Sequence, residues 1–244
     1  MEQTPTTNVQ QMLNLDYSKK DDIWLSNQKT LRKLVGILGM LLPLLLYLFL
    51  IVAVEYYSPI ESISHYYYTR VSSIFVIIFS LLAIFLIIYK GELMKDFFIS
   101  TLAGVLALCV IMFPTYNIHV TEGMPENLVV TVLNKNEFRE NLHLFSAGAF
   151  LLCLAYMSIF IFTRPHAVSK NVTRSRKGMR NGIYRTCGII MILAILVMVA
   201  GSKIPAFEDW YNDHHMTFWM EVLAVESFGI SWLIKGETLF KDKV

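Results

Sequence analysis

The chain has 244 residues, 55% of them hydrophobic and only 16% charged, with a mean hydropathy of +0.51. A soluble domain of this length must cover its surface with polar side chains, so the composition excludes an ordinary soluble protein. A net charge of only +2 argues against a nucleic-acid partner, which asks for a basic face.

In chain order, residues 1–33 read as a cytoplasmic polar tail. Thr4-Pro5-Thr6-Thr7 reads as disordered, and Lys19 to Lys33 as an interfacial helix with Ile23, Trp24 and Leu25 dipping into lipid. These residues contain no apolar h-region, so no cleavable signal peptide is expected and the first span serves as the anchor. Residues 34–240 then predict an all-α membrane domain, a six-transmembrane-helix bundle. Its spans fall at about 34–54, 62–89, 97–114, 142–163, 184–204 and 216–234. The second is longer than a bilayer needs and reads as tilted or projecting. Pro114 stops the third and Arg164-Pro165 the fourth. Spans rich in Leu, Ile, Phe and Met with few small residues predict a loosely lined bundle, not a tight glycine-mediated pair.

Lysine and arginine counts set the orientation. With the N-terminal tail inside, 17 of these residues lie on the cytoplasmic side and four (Arg70, Lys135, Arg139 and Lys203) outside. That predicts both termini in the cytoplasm (N-in/C-in). The basic loop Arg164 to Arg185 is the topological determinant, with contact to anionic lipid as its second reading. Asn171-Val172-Thr173 in that loop matches a glycosylation acceptor but falls on the wrong side of the membrane. Spans two and six end alike, in Lys90-Gly91-Glu92 and Lys235-Gly236-Glu237. Similar capping explains the echo, with a snorkelling lysine in the last turn and a left-handed glycine after it; an internal duplication is the alternative. Cys109, Cys153 and Cys187 lie in apolar runs without paired spacing, which predicts packing residues and neither a disulfide nor a zinc knuckle.

Polar groups inside hydrocarbon are costly and mark candidate sites. Read as a helix, the start of span two puts Tyr66, Arg70 and Ser73 on one face, with Glu61, His65 and Ser72 on an adjoining one. Tyr66, Tyr67 and Tyr68 suit the aromatic belt at headgroup level. Arg70 lies roughly 12 Å into the span and pairs with Glu221 or Glu226 of span six, or else binds an anionic headgroup, phosphate or carboxylate. On either reading Arg70→Ala is expected to disturb the protein far more than Arg139→Ala. His65, His143 and His214-His215 bring imidazoles from three helices to one face, yet no HxxxH or HExxH spacing holds two together, and no metal site is expected. GxSxG, P-loop and GxGxxG motifs are absent, and no lysine sits mid-membrane for a Schiff base, so no cofactor is expected.

The segments Ser62-Ile63-Ser64-His65-Tyr66-Tyr67-Tyr68, Phe113-Pro114-Thr115, Leu142-His143-Leu144-Phe145-Ser146-Ala147, Tyr184-Arg185-Thr186-Cys187-Gly188 and the closing Glu226 to Glu237 together resemble a known group. It is a set of uncharacterised bacterial six-span integral membrane proteins, loosely similar to the Frag/DRAM-like families. The resemblance covers residues 34–240 and implies a bacterial cytoplasmic (inner) membrane, but no activity. That group more often carries an aspartate where His65 stands, which counts against a metal-ligating histidine there.

Three functions follow. The first is a non-enzymatic binding or permeation protein. Its outward-facing pocket, of Arg70, His65, Tyr66, His143, Glu221 and Glu226, would take a lipid headgroup or a small anionic solute. The second is an intramembrane lipid-modifying hydrolase using His65, His143 or His215 with Glu221 or Glu226. The third is a membrane scaffold or assembly factor. Membrane lipids are the expected partners, and self-association is left open.

Overall fold

A computed structural model describes residues 28–164 and 174–237. The expected disordered and interfacial segments before Gln28 and the Asn171-Val172-Thr173 acceptor lie outside the described residues. Among the described residues, seven α-helices follow in order: α1 (Gln28–Val54), α2 (Ser72–Ile88), α3 (Met94–Met112), α4 (Glu137–Tyr156), α5 (Arg174–Lys203), α6 (Pro205–Asp213) and α7 (Met216–Lys235). A short 3-10 turn, Ile63–Tyr68, precedes α2, and a single π turn, Met157–Ile161, prolongs α4. By length and composition, α1, α3, α4 with its π turn, α5 and α7 can each cross a membrane; α2, at 17 residues, is a shorter apolar helix.

Each long helix packs against the next, and α7 returns to lie between α5 and α1. The six therefore form a closed ring of antiparallel neighbours. The outward faces are apolar, with Leu44, Leu48, Phe49 and Val52 on α1 and Ile77, Ile84 and Ile88 on α2 all exposed. That is the pattern of side chains whose solvent is hydrocarbon.

The ring is tighter than the composition predicts. A Cβ on Gly36 of α1 would stand 2.9 Å from the Gly229 carbonyl oxygen of α7, and one on Gly229 would stand 2.9 Å from the Gly36 carbonyl oxygen. A few small residues placed at the crossings outweigh many large ones elsewhere, because backbone approach is set at the contact point alone.

One end of the ring is basic. There Asp96, 1% exposed, pairs with Arg164 at 2.5 Å and accepts the backbone N–H groups of Glu92 and Leu93 at 3.2 and 3.1 Å. Lys235 reaches Glu92 at 3.6 Å, and Lys29 reaches Glu237 at 2.6 Å. The two Lys-Gly-Glu segments thus meet in space, the lysine of one facing the glutamate of the other. They are not capped alike: Gly91 has φ +66°, whereas Gly236 has φ −77° and the left-handed residue is Glu237.

The other end carries the long connections 55–71, 113–136 and 204–215. Here the expected second span is corrected. Residues 62–71 do not continue the helix, because Ser62 Oγ accepts the His65 N–H and Thr69 Oγ1 donates to the Tyr66 carbonyl, closing a tight turn. The turn then pairs outward, Val130 N–H donating to the Tyr68 carbonyl at 2.9 Å beside a Thr69–Val129 bridge. Local hydroxyl bonds of this kind compete with helix formation. The helix α6 was also not foreseen; Pro205 begins it at a position where a missing N–H costs nothing.

Candidate functional site

Correcting span two moves most of the expected pocket. Arg70 is exposed in the turn before α2, and no ion pair among the described residues includes it, so neither Arg70–Glu221 nor Arg70–Glu226 forms. Tyr66 and Tyr68 are fully buried and not in a lipid-facing belt. Tyr66 packs on Phe218 of α7, and the Tyr68 hydroxyl donates to the Thr115 carbonyl. Burial pushes both phenols above their ordinary range.

Glu221 of α7 instead accepts the backbone N–H of Ile63 at 2.5 Å, holding the first residue of the 3-10 turn against the bundle. Beneath it lies a cavity of about 40 Å³, lined by Ser64, Glu221 and apolar side chains of α2, α3, α4 and α7. Glu226 is half-buried farther along α7, away from this turn. His143, 3% exposed, points Nδ1 at the carbonyls of Val110 and Phe113, at 3.2 and 2.9 Å. As an Nδ1–H donor it caps the last turn of α3, whose carbonyls have no partner within the helix.

His65 is 2% exposed. Its Nδ1 lies 2.6 Å from Ser62 Oγ, and its ring meets Tyr116 edge-on at 4.6 Å. Its Nε2 is 3.4 Å from Glu61 Oε2, but the alignment makes no hydrogen bond and Nε2 has no partner. Burial lowers the imidazole's pKa to about 4, against a smaller opposing pull from Glu61 and with His143 and His119 adding to the depression. The other Glu61 oxygen accepts from the backbone N–H of His119 at 2.7 Å and lies 3.1 Å from its Nδ1.

Glu61, Tyr116 and His119 also form one wall of a cavity of about 600 Å³ between the three long connections. Tyr56, Ser58 and Ile60 line it from the first connection and Ile118, Thr121 and Met124 from the second. Tyr211, Asn212, Asp213, His215, Met216 and Thr217 close it from the α6–α7 corner. Tyr211 is buried, and Thr217 Oγ1 and the Tyr211 hydroxyl are 3.0 Å apart. The volume falls within the range of small-molecule sites.

Of the expected residues, the structure gathers His65, Tyr66 and Glu221 around the turn, adds His143 behind it, and leaves Arg70 and Glu226 apart. Of the residues that build the large cavity, His215 was a candidate from sequence and Glu61 was named beside His65, whereas Tyr116, His119, Tyr211 and Asp213 were not selected. They sit in three connections far apart in the chain, and the faint signal was the spacing of Tyr116 and His119 in a segment too polar to be a span. Among the described residues no three His, Cys, Asp or Glu side chains are placed to hold a metal ion. No protein-family model, curated protein or solved structure matches the chain.

Proposed function

We propose that the chain is a six-span, N-in/C-in inner-membrane binding or permeation protein whose long-loop end faces outward. There the cavity of about 600 Å³ takes a small polar solute or a lipid headgroup. That cavity is the observation that carries the reading: it is large, pre-formed and lined by converging hydroxyl, amide, imidazole and carboxylate groups. Counting α2 as a span has support from its size, since 17 residues rise about 26 Å, near the hydrocarbon thickness. The charge asymmetry supports the orientation, and the resemblance to Frag/DRAM-like proteins accords with six spans. A lipid hydrolase has less support, because His143 is committed to capping α3 and His65 lies behind Tyr116. His215 does line the cavity, but Glu221 is held by the Ile63 N–H and neither Glu221 nor Glu226 is among the lining residues.

The test is ligand-induced thermal stabilisation of the detergent-purified chain across a panel of small polar solutes and short-chain lipids, beside Ser58→Trp, which fills the cavity from an exposed position. A compound that raises the unfolding midpoint of the parent but not of Ser58→Trp supports the reading. Stabilisation that survives Ser58→Trp, or none at all, overturns it.

A further inference from the structure

The reading above leaves the ligand's charge open, and the sequence pointed to an anion through Arg70. The cavity says otherwise. Its lining contains two carboxylates, Glu61 and Asp213, three tyrosines, two histidines and no lysine or arginine. The surroundings have the same sign: the connections and helix ends at this face carry nine Asp and Glu residues against four Lys and Arg. A concave site of one sign on a low-dielectric body focuses its field and concentrates the opposite charge. An anion entering it would meet no guanidinium fork or ammonium to replace its hydration. For a cation the same walls supply counter-ions and the aromatic side chains of Tyr56, Tyr116 and Tyr211, one from each connection.

Glu61 sharpens the chemistry. One of its oxygens faces the buried His65 Nε2 at 3.4 Å, from behind the cavity wall. An N–H donor bound in the cavity gives this carboxylate a charge-assisted hydrogen bond. A quaternary ammonium, having no N–H, cannot.

Resting on the binding reading above, we propose that the cavity takes an organic cation bearing N–H donors, a primary or secondary amine. Glu61 is its counter-ion and acceptor, and the Tyr116 ring a wall. The amine is either a free solute or the headgroup of an aminophospholipid; the recognising chemistry is shared.

Isothermal titration of the full-length detergent-purified chain near pH 7.5 decides it, with five probes: ethanolamine, choline, inorganic phosphate, dihexanoyl-phosphatidylethanolamine and dihexanoyl-phosphatidylglycerol. Ethanolamine binding roughly tenfold more tightly than choline, with phosphate silent, is the result expected from the loss of one charge-assisted contact. Binding of the phosphatidylethanolamine but not of ethanolamine supports the same chemistry and assigns it to a lipid. Glu61→Gln should weaken either by about tenfold or more. Because Glu61 also holds His119, the exposed Asp213→Asn is the second variant, expected to weaken binding without loss of thermal stability. Phosphate or phosphatidylglycerol binding as well as the amines overturns the inference and leaves the cavity reading standing. If no probe binds, the amine falls, and the Ser58→Trp comparison decides the cavity by itself.

Discussion

Two arginines show how placement overrides residue type. Arg139, with a side chain only 13% exposed, donates to the carbonyls of Asn134 and Thr115 and pairs with Glu140 at 3.1 Å, tying the long connection to the head of α4. Arg70 makes no comparable contact. The ranking drawn from sequence is therefore reversed: Arg139→Ala should cost about 1–3 kcal/mol, read as a lowered unfolding midpoint, and Arg70→Ala almost nothing. Asp96 is the larger stake. Removing its charge by Asp96→Asn strands the part-buried Arg164 and loosens two backbone N–H groups, an expected loss of about 3–5 kcal/mol. Gly91→Ala strikes the same place, because its Cβ would collide with that of Asp96 at a left-handed φ. The control is Gly123→Ala, equally left-handed at φ +90° but with nothing near, which should be the milder variant. His65 gives a pH dependence. Its folded pKa of about 4 lies below the ordinary 6.5, so the unfolded chain takes the proton first and stability falls as pH drops from about 6.5 toward 4. The slope amounts to about 3 kcal/mol over that window, and His65→Gln should flatten the melting-temperature profile there.

At the scale of elements, the sequence was legible where hydrophobicity alone decides. Helix α7 starts after His214-His215 and ends at Lys235, where charge and apolar length coincide. Where a helix runs on past the apolar stretch, hydropathy stops too soon: α5 begins at Arg174, since lysine and arginine are good helix formers outside the bilayer. The error over residues 62–71 is of another kind. Hydrophobicity, aromatic content and helix-compatible spacing all pass there, and the local Ser62 and Thr69 bonds that close the turn are anchored by Val130 and Glu221, 158 residues from Ile63 in the latter case. No window on one sequence sees such partners. The same distance hid Glu61, His119 and Tyr211 as members of one cavity. Glu221 gives the test at this scale. Glu221→Leu should free the 3-10 turn while sparing the basic end, so that hydrogen exchange quickens over 61–71 but not over 89–96. Equal quickening at both ends would mean the carboxylate supports the whole bundle instead.

The whole molecule is electrically two-faced, with a basic end and an acidic long-looped end separated by an apolar belt. If the acidic end faces out, a cysteine at Ser58 should react with an impermeant maleimide on intact cells, and one at Lys90 only after the membrane is opened. The opposite pattern inverts the protein and puts the cavity on the cytoplasmic side. The closure of the ring bears on how it is made. Its seam joins the first long helix to the last: Gly36 meets Gly229, and Lys29 reaches Glu237 across 208 residues of chain. A chain leaving the ribosome inserts α1 first and cannot complete the seam until α7 has been synthesised. Until then the edges of the open ring, the Gly36 and Gly39 face of α1 and the facing side of α5, lie bare to lipid and to other nascent chains. Chains cut before Met216 should therefore be held by membrane chaperones or cleared by proteolysis, while the same α7 supplied as a separate polypeptide should rescue them.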